Sequence, residues 1–204
     1  MIFKRIYVRL VINKNSKYKN MVHLSNSMKL PEFQDIKREY NDFYKSLLRQ
    51  GKLPLRSTKK GFWGHVPAED IFSAFKQLGL QNHKTFIDLG SGDGKAVLIA
   101  SLFCNRAVGI EIDEELFKKS MEIRKNLSIS NALFFNDDFY NHSISGFDVV
   151  FVYPDEPMHR GLENKLLNEL TGKLIHFGHH FHPEKLDKQK SIVANGNLVT
   201  VYTK

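Results

Sequence analysis

Thr85-Phe-Ile-Asp-Leu-Gly-Ser-Gly-Asp-Gly-Lys95 is the stretch that decides the reading of this 204-residue chain. It predicts a short buried strand over 85–89 that contains an acid, Asp88. A turn follows with glycines at alternate positions, Gly90, Gly92 and Gly94, and then a helical pattern over 95–103. Glycines in such a turn let the backbone approach a ligand closely and take positive φ. The helix beyond it offers unpaired N–H groups and a positive dipole end. A dinucleotide fingerprint requires G-x-G-x-x-G, and the third glycine comes one residue early. A P-loop requires a glycine five residues before Gly94 and Ser or Thr after the lysine, where Leu89 and Ala96 stand. What remains is D-x-G-x-G-x-G; the bland alternative is an ordinary glycine turn in an α/β protein.

Outward from this turn, strand and helix patterns alternate. Strands are expected over 85–89, 107–112, 132–135, 148–153 and 174–177, with helices over 95–103, 114–127 and 158–170. Two last strand-like runs, 191–194 and 198–202, flank Asn195-Gly196-Asn197, a hairpin signal. Alternation of this kind gives a mostly parallel sheet with helices on both faces. Upstream, a helix over 67–78 ends at Gly79, and 52–66 is expected as a loop carrying Phe62, Trp63 and His65. Phe33, Ile36, Tyr40, Phe43 and Leu47 recur at helical spacing, so 31–50 reads as an amphipathic helix stopped by Gly51. Residues 13–29 read as a polar linker, and 1–12 alternate loosely as a strand. The expected architecture is α/β: a Rossmann-like seven-stranded, mostly parallel sheet with a C-terminal antiparallel hairpin. An N-terminal helical extension (1–60) precedes the main domain (61–204).

Charge is divided unevenly. Residues 1–60 hold 15 Lys and Arg against four acids, a net of +11, whereas 61–204 hold 15 against 18, a net of −3. The basic extension either docks on an acidic surface such as nucleic acid or is a solvated leader. The single Cys104 excludes an intramolecular disulfide and a CxxC zinc site, and it sits in an apolar pattern as a packing residue. No apolar run reaches the length of a membrane span, and Arg5 and Arg9 interrupt the first apolar stretch, so a cytoplasmic location is expected.

In doubly wound sheets the ligand lies beyond the carboxyl ends of the strands, and each end here supplies chemistry. The first brings Asp88 and the glycines. The second brings Gly109-Ile-Glu-Ile-Asp113, with Glu111 about 20 residues beyond the turn, where an acid can accept ribose hydroxyls. The third brings Asp137, Asp138 and Phe139, able to accept from an amino group and cover a flat ring. The fourth brings Tyr153-Pro-Asp-Glu-Pro157. Histidines 176, 179, 180 and 182 invite a metal reading. On an extended strand, however, His179 would point opposite the other three, and no helical H-x-x-x-H pair supports them, so no metal is expected. His179 or His180 is expected to line the site. Trp63 and His65 either close over the ligand or pin their loop to the core.

From about Phe62 to Tyr202 the chain resembles small class I S-adenosylmethionine (SAM) methyltransferases, and within them the compact protein-lysine methyltransferases of archaea and mitochondria. The likeness rests on DLGSGDGK (Asp88 to Lys95), GIEID (Gly109 to Asp113), VVFVYP in the fourth strand, a proline-led helix at Pro67, and GHHF (Gly178 to Phe181). The resemblance implies SAM as cofactor. It puts Asp88, Gly90, Ser91, Gly92, Asp93 and Gly94 around its methionine part, Glu111 on the ribose, and Asp138 with Phe139 at the adenine. Phe-Trp-Gly-His-Val before Pro67 and the YPDEP turn depart from that pattern. The catalytic candidates, for orienting or deprotonating an acceptor amine, are Tyr153, Asp155 and Glu156, with a structural turn cap as the alternative. The favoured acceptor is a protein side chain, lysine first. RNA is the runner-up on account of the basic extension, a small molecule comes third, and no membrane partner is expected.

Overall fold

The computed structural model describes residues 31–58 and 61–204. The expected strand at 1–12 and linker at 13–29 lie outside the described residues. One compact unit spans Pro31–Lys204, so the expected division at residue 60/61 falls inside it. The helix that was assigned to the extension belongs with the sheet.

Seven strands form one sheet. They are β3 (Thr85–Leu89), β4 (Arg106–Glu111), β5 (Ala132–Asn136), β6 (Val149–Val152), β7 (Lys173–Phe177), β8 (Asp187–Ala194) and β9 (Asn197–Thr203). Their spatial order is β5-β4-β3-β6-β7-β9-β8, parallel from β5 to β7, with β9 antiparallel to both its neighbours. The chain runs outward from β3 to β5 and then crosses to β6 on the other side. The crevice between the carboxyl ends of β3 and β6 is therefore the switch point where such sheets hold ligands. At the far edge, Asn195 (φ 49°) and Gly196 (φ 89°) close the β8–β9 hairpin with two positive-φ residues, as the Asn-Gly pair requires.

One sheet face is covered by α1 (Phe33–Arg49), α2 (Ala68–Leu78), α3 (Lys95–Ala100) and α4 (Glu114–Asn126); α5 (Leu162–Glu169) packs on the other. α1 buries Ile36, Tyr40 and Tyr44 in the first cluster. Burial is worth about 1.5–3 kcal/mol per large side chain, against at most about 1 kcal/mol for an exposed pair such as Arg38–Asp35. Packing therefore fixes this helix. No helix among the described residues is long and apolar enough to cross a membrane.

Three expectations are corrected. Residues 52–66 are not a loop: β1 (Leu55–Thr58) and β2 (Gly61–Gly64) pair as an antiparallel hairpin, with Arg56 opposite Trp63. Those two opposed residues share one face, and a cation beside an indole leaves no apolar–polar alternation to read. The helix expected over 158–170 splits into a 3-10 turn (Met158–Arg160) and α5, because Gly161 takes φ 140° with the Tyr140 hydroxyl against it. The histidine run is not an extended strand. β7 ends at Phe177, and positive φ at Gly178 and Phe181 folds the chain back so that His176 and His182 stack at 4.2 Å.

Candidate active site

The glycine turn sits at the switch point. Gly90, Gly92 and Gly94 have φ of 80°, 56° and 80°, and the Gly90 and Ser91 N–H groups donate to the Ile110 carbonyl at 3.0 and 2.9 Å. A Cβ on Gly92 would lie 2.8 Å from Trp63 Cδ1. The bare backbone of the turn is thus what allows the hairpin to settle over it. Gly109 in β4 serves the opposite side: a Cβ there would meet Ser91 Oγ at 2.7 Å and Phe134 at 2.8 Å.

Two cavities open here. One, of about 220 Å³, reaches from Gly90 and Glu111 past Asp138 and Phe139 to Glu156 and Arg160. The other, of about 570 Å³, lies on the β7 side between Asp88, Trp63, Tyr153, Phe177 and Phe181. Trp63, Gly92, Tyr153 and Asp155 border both. The structure therefore brings together Asp88, Gly90, Gly92, Glu111, Asp138, Phe139 and Tyr153 around two adjoining cavities.

Asp88 is buried, and its carboxylate makes no hydrogen bond among the described residues. Burial first, then the charges of Glu111 and Asp93, hold its pKa well above the ordinary carboxylate range. Such a group calls for a cation. Glu111 accepts the Gly92 N–H and the Asp113 N–H, each at 2.7 Å, one on each oxygen. A carboxylate has about four acceptor positions, so two remain for hydroxyl donors. Burial raises the Glu111 pKa as well, offset by those amides. Asp138 caps the 3-10 turn Phe139–Asn141 by accepting the Tyr140 N–H at 3.0 Å, which fixes Phe139 beside the Tyr140 ring.

Of the other candidates, Ser91 and Asp93 line the larger cavity, Glu156 the smaller and Asp155 both. Ser91 Oγ is buried without a hydrogen-bond partner among the described residues, against the place a Gly109 side chain would fill. The Asp93 carboxylate accepts from the Tyr44 hydroxyl and, at 3.2 Å, from the Lys95 N–H. Gly94 is the N-cap of α3 and packs against Ser120 and Phe134. Asp155 accepts the Phe62 N–H and so ties the YPDEP turn to β2. Glu156 is exposed and pairs with Arg160 at 3.5 Å. Tyr153, like Asp155, borders both cavities, its ring edge-on to Phe177 at 5.5 Å. His179 and His180 line the larger cavity, whereas His176 and His182 do not. No group of three or more His, Cys, Asp or Glu side chains among the described residues is placed to hold a metal.

Sequence reasoning missed how the hairpin is fastened. Arg56 donates to Asp113 at 2.8 Å and reaches Glu115 at 3.1 Å. With Asp155 on Phe62 and Trp63 on Gly92, the hairpin is held at three points above the cavities. It also missed Tyr44, whose place one turn after Tyr40 was the available signal.

The profile of the ANTKMT methyltransferase domain matches residues 88–190. No protein of curated function matches the chain. Among solved structures, the RNA methyltransferase from Salinibacter ruber in complex with S-adenosyl-L-homocysteine is 26% identical. It superimposes with a TM-score of 0.57 over 65% of this chain and 89% of that one. The putative methyltransferase yhhF from Escherichia coli is 19% identical, with a TM-score of 0.53 over 70% and 87%. The Pyrococcus abyssi tRNA (uracil-54, C5)-methyltransferase is 14% identical, with a TM-score of 0.58 over 77% of this chain and 53% of its own length. The last two likenesses carry the fold alone.

Proposed function

The chain belongs to the ANTKMT methyltransferase domain family and is a SAM-dependent methyltransferase, and from that premise we propose that it methylates a side-chain amine of a protein, lysine first. The observation that carries this is the charge of the larger cavity. Among the described residues its walls hold three acids, Asp88, Asp93 and Asp155, with aromatic rings between them, and one Lys or Arg, Lys95, which is buried. Such walls attract a cationic amine. Nucleic acid would meet acids where its phosphates need cations.

The residues present fit the donor. We assign the Asp88 carboxylate to the α-amino group, the glycine turn to the methionine backbone atoms, Glu111 to the ribose hydroxyls, and Asp138 with Phe139 to the adenine. SAM supplies an activated methyl group on a sulfonium; the protein's work is alignment and exclusion of water. Trp63 and the hairpin roof the turn, while Tyr153, on the border of the two cavities, orients the acceptor. An ammonium must lose a proton before attack. Neutral His65 lines the same cavity, its pKa lowered by burial and then by Lys95. Asp155 and Glu156, engaged with Phe62 and Arg160, hold the surrounding turns.

Incubation with methyl-labelled SAM and a cell extract, followed by protease or ribonuclease, tests the acceptor. Label released by protease and resistant to ribonuclease is expected. Label that survives protease and is lost to ribonuclease would establish RNA, the reading favoured by the Salinibacter likeness and the +11 segment. Label soluble without either enzyme would establish a small molecule.

A further inference from the structure

Between Gly92 and Gly94 the donor-binding turn has one side chain, Asp93. Both flanking residues have positive φ and no side chain with which to hold a shape. β4 holds the backbone of the turn through Glu111 and Ile110, and Asp93 is the side chain by which a further element can hold it. That residue is buried, and both of its acceptor groups are gripped from α1. The Tyr40 hydroxyl donates to the Asp93 carbonyl at 2.8 Å, and the Tyr44 hydroxyl donates to its carboxylate. The two tyrosines stand one helical turn apart and are themselves buried, so their hydroxyls are presented on a rigid face.

The same tyrosine also touches the hairpin. The His65 ring lies edge-on to Tyr44 at 4.4 Å, and Trp63 lies 6.5 Å away. Lys95, buried beneath the two tyrosines with its Nζ 4.6 Å from the Tyr44 ring centre, donates to the Val66 carbonyl where the chain leaves the hairpin. α1 itself lies outside residues 88–190, the part matched by the family profile, while its partner Asp93 lies inside it.

We propose that Tyr44 is a positioning residue for the methyl donor. By holding the Asp93 carboxylate it sets the glycine turn in the shape that receives SAM and carries that shape to the hairpin above it. The inference rests on SAM as donor and is independent of the acceptor.

Tyr44→Phe removes one oxygen and keeps the packing. S-adenosylhomocysteine binding measured by calorimetry is expected to weaken about tenfold, the loss typical of a hydrogen bond to a charged group. The rate at saturating SAM should change less than about twofold, because a positioning effect on the donor is overcome by concentration. Ile36→Val, on the same helix without contact to Asp93, is the control and should leave affinity unchanged. Asp93→Ala leaves α1 intact and should lose at least as much affinity, and adding Tyr44→Phe to it should do nothing further. Unchanged affinity in folded Tyr44→Phe, or an equal loss in Ile36→Val, would overturn the proposal. Should Tyr44→Phe not fold, full affinity in Asp93→Ala would overturn it instead.

Discussion

The Glu111 carboxylate accepts the Gly92 N–H at 2.7 Å, so the end of β4 is tied directly to the middle of the glycine turn. Its other oxygen accepts the Asp113 N–H, and Asp113 in turn caps α4 and receives Arg56 from the hairpin. One acid thus organises the floor and part of the roof of the donor site. Glu111→Gln keeps the shape but loses the charge and one acceptor oxygen. Hydrogen bonds to charged groups are worth about 1.5–3 kcal/mol, so calorimetry with S-adenosylhomocysteine should show affinity lower by about 10- to 100-fold. An unchanged constant would remove Glu111 from the site.

Asp88 predicts a pH dependence with a definite sign. Its pKa is raised by burial, then by Glu111 and Asp93, above the ordinary 3.8. In the free protein a raised carboxyl contributes stability below its unfolded-state value, which is lost as pH rises through the folded-state value. A bound ammonium favours the ionised form and reverses that loss. The thermal shift given by S-adenosylhomocysteine should therefore grow as pH rises through a window above the usual carboxylate range. Asp88→Asn should flatten the growth; a wild-type shift independent of pH would contradict the assignment.

The sheet, its hairpin and the turn were legible because each is written in a local period or a short motif: Asp88 to Gly94 in one run, Glu111 at its spacing, Asn195-Gly196 in the closing turn. The partners of Asp93 were not legible, for a physical reason. Tyr40 and Tyr44 are 53 and 49 residues away, and no local pattern distinguishes a carboxylate facing a ligand from one facing a tyrosine. The hairpin at 55–64 was hidden because its inward residues, Arg56 and Trp63, are held by Asp113 and lie against Gly92, contacts made in three dimensions only.

Asp155 separates two roles that sequence alone left open. If its carboxylate only holds the Phe62 N–H, Asp155→Asn retains an oxygen acceptor and should keep turnover within about threefold of wild type. Asp155→Ala frees the hairpin and should lose about tenfold or more, since a hydrogen bond to a carboxylate is worth about 1.5–3 kcal/mol. A proton acceptor would instead lose about 10²- to 10⁴-fold in both variants. Steady-state rates of the pair decide between them.

His176 lies outside the site and predicts acid sensitivity of the fold. It is fully buried, neither ring nitrogen has a hydrogen-bond partner among the described residues, and His182 stacks on it at 4.2 Å. Burial, then His182, lowers its pKa from 6.5 to about 4. Because the folded protein resists its protonation, the stability it permits is complete above pH 6.5 and is lost progressively as pH falls towards 4, by up to about 3 kcal/mol. His176→Phe keeps the aromatic packing, removes two unpaired polar atoms and cannot titrate. Urea unfolding at neutral pH should find the variant as stable as wild type or more so, because an unsatisfied buried group costs about 1–3 kcal/mol. Between pH 6.5 and 4 the wild type should lose stability that the variant keeps. Parallel curves over that interval would show that His176 is not the group that titrates.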